Sequence, residues 1–542
     1  MFRANNLLLI ITFILFLVFT IFSLYAEETL EPEEPDIVIP SVIMEVEDLS
    51  IDLIIAELPE DEWALPAERD VPLPEEILTV KEPTIDFDLI QREEGEMESS
   101  PSLFVESVLG GGNISHLLCQ IQINKLGEFP RYSLFFNHET LDGFSFKDTG
   151  TGFSFREELL KGSIKYNISS LQVENAMNYL ELEHGLQGQG DYFSKISRTF
   201  SSTNNFILSS GDKFTFSGSI FANYSTFLLT GSASPDYTVD YPPKEIIAGA
   251  GLNTDFQIKS ALLGFNAEYK FRNIPGDDDL LLHRVLAGTS LSVELPHWLN
   301  IGAEVSYFYS KQLPVLFPFE ASFWGTPFDF FSFKIRGGYF LNQVDLKTIL
   351  TDYTYSDIPE EFHDNHGWFA GLNAQFNLKN QFTISLKQEL FFHENLPQLE
   401  DEVNIATGLF PVVFTDDAIE LDNEIKISWQ APSVLSLSFI NRDTLLWDPD
   451  FSVLGEFSLE TALIQKQDKF GMIITAGFIT DFVEVPVKPV LDFNAYVQIA
   501  DFARIICEFN DILNPMFDDY RFSREPFISP GFLGTLKIQI KF

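Results

Sequence analysis

The eight residues TLKIQIKF, 535–542, alternate without a break. Leu536, Ile538, Ile540 and Phe542 fall on one face of an extended strand and Lys537, Gln539 and Lys541 on the other, because successive side chains of a strand point to opposite sides. One face is apolar and the other wet. In a soluble sheet the apolar face would cover a core; in a membrane barrel it would face lipid, and the wet face a water-filled lumen. Eight residues do not choose between these, so the choice falls to the rest of the chain.

The same alternation recurs from about residue 102 to the end. LLGFNAEYKF, 262–271, puts Leu263, Phe265, Ala267, Tyr269 and Phe271 on one face and Asn266, Glu268 and Lys270 opposite. In WFAGLNAQFNLKNQFTISL, 368–386, Ala374, Phe376 and Leu378 share a face, Gln375 and Asn377 take the other, and the chain turns at Lys379 and Asn380. Tight turns are expected near residues 128, 169, 211, 259, 297, 327, 380, 432, 468 and 501, each joining two alternating runs into a hairpin. Ten hairpins, a first strand near Leu103 and the final strand make about 22 strands, within a range of 16–22. Between hairpins lie longer stretches: Glu139 to Phe155, Gln312 to Phe330, Thr348 to Gly367, Glu394 to Asp417 and Asp511 to Ile528. Short turns alternating with long loops is the asymmetry of outer-membrane barrels, and no fixed repeat period indicates a solenoid. The fold class expected is an all-β, transmembrane antiparallel barrel. Tyr307, Phe308, Tyr309, Trp324, Trp368, Trp429 and Trp447 are expected in its interfacial girdles or in loop packing.

Composition agrees. The 542 residues include 55 Phe and are 14% aromatic, with a net charge of -46. The excess of acid disfavours nucleic acid as a partner. Residues 1–26 read as a secretory signal peptide, with Arg3 ahead of an apolar run from Leu7 to Phe22 and cleavage after Ala26. Residues 27–101 differ from everything that follows: positions 27–100 hold 25 acids, 3 bases and 8 prolines. Like-charge repulsion and scattered proline predict a largely disordered periplasmic segment. Its more apolar part, with Asp36, Ile37, Val38 and Ile39, is a candidate for docking on a periplasmic partner by strand addition. Cys119 and Cys507 lie on apolar faces and read as inert thiols rather than a disulfide framework.

The final stretch, FNDILNPMFDDYRFSREPFISPGFLGTLKIQIKF, resembles the last hairpin of TonB-dependent receptor barrels. NDILN at 510–514, Tyr520, the Ser529-Pro530-Gly531 turn and terminal Phe542 follow that family's layout, with Phe532 where arginine is usual. The resemblance implies a transport barrel whose last strand, through Leu536, Ile538, Ile540 and Phe542, is read by the barrel-assembly machinery. It also implies a plug domain ahead of the barrel, where this chain has its acidic segment instead. DIVIPSV, 36–42, has a likeness to the short box that the family presents to TonB.

No phosphate loop, CxxC pair, HExxH or nucleophile elbow occurs; neither an enzyme nor a cofactor is expected. EEFHDNHGW, with Glu360, Glu361, His363, Asp364 and His366, and the run Gly276 to Asp279 offer oxygen and nitrogen ligands but read as solvated loop charge. The domains expected are therefore 1–26, 27–101 and a barrel over 102–542. The function expected is an outer-membrane channel or transporter for small solutes, with Asn266, Glu268, Gln375, Asn377, Lys537, Gln539 and Lys541 lining its lumen. The alternative is a structural anchor in the outer-membrane bilayer whose acidic arm holds a periplasmic protein or the cell wall. A third reading, a soluble β-rich adhesin, requires the apolar faces to meet each other.

Overall fold

The structure, a computed structural model, describes residues 103–210, 213–231, 244–273, 281–295, 298–311, 313, 315–359, 361–378, 381–430, 435–447, 453–466, 469–481, 488–516, 522–524 and 526–542. The expected signal peptide, the acidic segment with Asp36, Ile37, Val38 and Ile39, the run Gly276 to Asp279, and Tyr520 lie outside the described residues.

A single sheet of 22 strands closes on itself. Every strand is antiparallel to its neighbours along the chain. The first, Leu103–Gly112, pairs with the last, Leu533–Lys541, placing Ser107 opposite Ile540 and Leu109 opposite Ile538. Closure removes the unpaired edges that an open sheet would expose. At the seam the Phe542 N–H donates to the Val105 carbonyl at 2.8 Å and the Val105 N–H donates to the Phe542 carbonyl at 2.9 Å. The Phe542 ring stacks on Phe502 of the neighbouring turn, centroids 6.1 Å apart. The alternation of 535–542 thus continues to a residue that is part of the closed ladder.

Which face is outside follows from exposure. Leu536 and Ile538 are 55% and 47% exposed, whereas Thr535 and Gln539 are 4% and 3% exposed. Trp368, Ile335, Phe265 and Tyr269 are exposed in the same outward phase. Cys119 and Cys507, both free thiols, share the outward phase on the second and twenty-first strands; three strand spacings, about 14 Å, keep them beyond bridging distance.

All ten expected short connections join consecutive strands. The largest boundary difference lies on the twelfth strand. The stretch expected as loop to Phe330 contains the strand Phe319–Phe328, turning at 329–330. Gly325 and Pro327 carry turn chemistry, but a register shift between Gly325 and Phe328 absorbs them as an irregularity inside the ladder. Two expected girdle aromatics also face inward. Phe308 is fully buried and Trp324 lines an inner-wall hollow with Lys334 and Asn373, because each is one residue out of phase with its exposed neighbours. Rings do cluster beside the short turns, where Phe331 stacks on Phe376 at 4.5 Å and Phe214 meets Phe256 at 5.1 Å.

The strands Ser194–Ser210 and Phe214–Thr230 each run 17 residues, beyond the roughly 9–11 that cross a bilayer. Their outer ends extend the inner wall toward the long loops. These loops hold two ribbons, Leu396–Leu399 with Val412–Thr415 and Phe522–Arg524 with Phe527–Ile528, and a helix, α1, Leu346–Asp352. Asp345 caps α1, its carboxylate accepting from the Thr348 N–H at 2.8 Å. If the outward face meets lipid, Ile335→Arg should lower unfolding free energy by about 2–4 kcal/mol, whereas Gln375→Arg, on the inward face, should change it little. Equal losses in urea titrations of the folded barrel would contradict that orientation.

Candidate functional site: the lumen and its outer mouth

The seven expected lumen residues all lie on the inward phase, but on three separated parts of the wall. Asn266 donates through Nδ2 to Glu304 at 3.2 Å, and Glu268 pairs with Lys270 at 2.8 Å. Gln375 donates to Asn377 Oδ1 at 3.0 Å, an oxygen that also accepts from the Thr383 hydroxyl. Near the seam, Lys537 pairs with Glu508, while Gln539 and Lys541 converge on Glu106. These are local contacts along the wall, ion pairs for Glu268, Lys537 and Lys541 and amide hydrogen bonds for Asn266, Gln375 and Gln539, and they do not form one site.

What sequence reasoning missed stands at the long-loop end. Loop 186–193 follows the fifth barrel strand, Leu171–Gly185, and loop 395–417 follows the fifteenth, Phe382–Glu394. Ten positions apart in a ring of 22, their roots stand almost opposite each other. Yet the loops touch. The Asp191 N–H donates to the Ala406 carbonyl at 3.2 Å, and Gly190 lies so close to Gly408 that a Cβ at 190 would overlap the Gly408 nitrogen. Gly408 itself has φ +71°, a left-handed conformation that glycine adopts without a Cβ clash.

Two further loops join them. Tyr355, in the loop after the thirteenth strand, stacks on Phe527 from the loop before the last strand, rings 3.7 Å apart and 5° from parallel. Gln187 exchanges two hydrogen bonds with the Ile528 backbone, at 2.9 and 2.8 Å. Leu186, Ile349, Leu409, Phe410 and Phe527 are fully buried in a common apolar core with Leu346, Val344 and Phe362. Loops from opposite walls therefore meet over the mouth, and apolar burial holds them there.

Buried charges fix this cap to the wall. Arg272, 1% exposed, contacts Glu245 through Nε, donates to the Val344 carbonyl at 3.2 Å and lies 4.3 Å over the Phe362 ring. The other oxygen of Glu245 accepts from the Leu346 N–H at 2.8 Å, at the start of α1. Arg284 donates to Asp364 at 2.7 Å. Lys195, fully buried, donates to the Ser356 carbonyl at 2.6 Å and the Thr354 carbonyl at 3.1 Å, with Phe227 5.1 Å away. Burial raises the Asp364 carboxyl above its usual range and outweighs the opposing pull of Arg284 and Arg272. Such groups are costly to bury, and the bonds that Arg272, Arg284, Lys195 and Glu245 make to Val344, Asp364, Ser356 and the Leu346 N–H exist only while the cap is seated.

Glu360 lies outside the described residues, and the rest of the acid and histidine run near 360 disperses into this structure. Asp364 serves Arg284, His366 meets Tyr339 at 2.8 Å, and His363 lies 3.5 Å from Glu361. Among the described residues, no three His, Cys, Asp or Glu side chains gather as metal ligands. The signal that could have revealed the cap was apolar density inside stretches assigned to loops, as in GLFPVVF, 408–414.

No protein-family model matches the sequence, and the search of curated proteins found no match. Solved structures do match. The copper transporter OprC aligns with TM-score 0.64 at 9% identity, over 83% of this chain and 82% of that one. The ferric enterobactin receptor PfeA from Pseudomonas aeruginosa aligns with TM-score 0.62 at 8% identity, over 82% and 81%. The FrpB iron transporter from Neisseria meningitidis gives 0.61 at 10% identity, over 84% and 82%. At such identities the likeness is one of fold: this chain has the barrel fold of TonB-dependent receptors.

Proposed function

We propose that this barrel sits in the outer membrane of a double-membraned bacterium and passes small solutes through its lumen, with the loop cap as its outer closure. The observation that carries this reading is the two-faced wall, apolar outward and polar inward around a closed ring, which serves no purpose in a soluble protein. In this reading Asn266, Glu268, Gln375, Asn377, Lys537, Gln539 and Lys541 present the polar wall to the solute. Leu536, Ile538, Ile540 and Phe542 form the strand recognised during assembly. Residues 101–542 hold 55 acids against 30 bases, so cations should pass in preference to anions.

Liposome swelling tests it. Vesicles containing the folded barrel without its cap loops should swell in small uncharged solutes at rates that fall with solute size, and vesicles containing the full chain should swell more slowly. Swelling no faster than empty vesicles, with or without the cap loops, would refute passage. The composition of residues 27–100 favours a second reading, in which the barrel is an anchor and the acidic arm holds a periplasmic partner. Removing 27–100 should then abolish cellular function, while a transporter would keep its swelling activity.

A further inference from the structure

Just inside the outer mouth, five consecutive strands from Leu299–Ser310 to Phe382–Glu394 hollow the inner wall into a cavity of about 390 Å³. Its lining includes Glu304, Glu320, Arg336, Phe340, Phe369 and Phe391. Three phenylalanines turn toward a lumen whose wall elsewhere is largely polar. Phe340 stands edge-on to Phe391, 5.6 Å apart at 88°, and Phe369 lies near-parallel to Phe391 at 6.2 Å. All three are only half-buried. An apolar patch left against water on a polar face marks a binding surface.

The charges beside it do not balance. Arg336 is already engaged by Glu389, which also takes Lys387 at 2.8 Å. Its distance to Glu320 is 3.9 Å, the outer limit of an ion pair. Glu304 is met by the Asn266 amide at 3.2 Å, and no ion pair to it is present among the described residues. Two incompletely neutralised carboxylates thus stand next to aromatic faces. Arg336 already lies 5.5 Å over the Phe369 ring, so the combination suits a cationic head held by the carboxylates of Glu304 and Glu320, on an apolar body that covers the phenyl groups.

We propose that this cavity is a wall subsite for small organic cations bearing an aromatic or alkyl body. Its role as a waypoint rests on the solute-passage reading; the binding itself does not. Equilibrium dialysis of benzyltrimethylammonium against the full folded chain in detergent tests it, because equilibrium removes any delay imposed by the cap. Saturable binding is expected, weakened about 2- to 13-fold by Phe369→Ala, which removes a ring-to-ring contact with the ligand body, and also weakened by Glu304→Gln. Benzoate, with the same ring and opposite charge, should not compete. Heat-modifiable migration checks that each variant folds, and Glu304→Gln, at an exposed position, keeps the test alive if Phe369→Ala does not. Absence of saturable binding, or undiminished binding by both folded variants, would overturn the proposal. Binding without liposome swelling would refute passage and leave the subsite standing; swelling without binding would refute the subsite alone.

Discussion

Replacing Arg272 with alanine is expected to raise the fraction of barrels with an unseated cap by about 100-fold or more. The substitution leaves Glu245 buried at 1% exposure without its guanidinium, and it removes the donor to the Val344 carbonyl and the cation over Phe362. Breaking one side of a buried ion pair costs about 3–5 kcal/mol, and each 1.4 kcal/mol is a factor of ten in an equilibrium. Glu245 and Arg272 stand on the paired strands Lys244–Ile258 and Ala261–Asn273, whose backbone ladder does not run through these side chains, so the loss should fall on the cap. Open probability in planar bilayers reads it directly. Arg272→Ala records that match those of the parent would show that the seated cap does not control the mouth.

Phe410→Ala should have a comparable effect through packing alone. The ring is fully buried, packs edge-on to Phe527 at 5.8 Å, and its backbone is tied to the Tyr355 carbonyl at 2.8 Å. Truncating a buried phenylalanine costs about 3–5 kcal/mol. Few residues build the cap core, so the remainder has little capacity to absorb the loss. Proteolysis within 343–364 and 395–417 samples the unseated population when opening is fast relative to cleavage, and it should accelerate about 100-fold or more. If protection of those loops were unchanged while the barrel lost stability, the apolar core would belong energetically to the wall and the cap would not be a separable unit.

The barrel was legible and the cap was not, for a physical reason. Strand faces repeat every second residue, so TLKIQIKF, LLGFNAEYKF and the ten short turns each report the ladder locally. Their sum gave the strand number because each hairpin contributes independently. Gly325 and Pro327 misled at one strand, since an irregularity in the ladder and a loop use the same residues. The cap depends on contacts of long sequence separation: Gln187 with Ile528, Lys195 with Ser356, Arg284 with Asp364. Nothing in the spacing of these residues sets them apart from solvated charges at strand ends. The wall cavity was hidden for a related reason: Phe340, Phe369 and Phe391 occupy wet-face positions on separate strands, and only the strand pairing brings them together.

The most direct test of the central claim is single-channel conductance of the full chain, compared with a variant lacking 345–362 and 396–415. Both deletions leave paired strand ends, Asn342 opposite Asn365 and His393 opposite Ala418, so the wall should close without them. A parent that is mostly shut, and a variant with large, steady, cation-preferring openings, is the predicted result. Equal conductance in the two, or a variant that stays silent in a correctly folded barrel, would contradict the reading of a solute passage closed by its own outer loops.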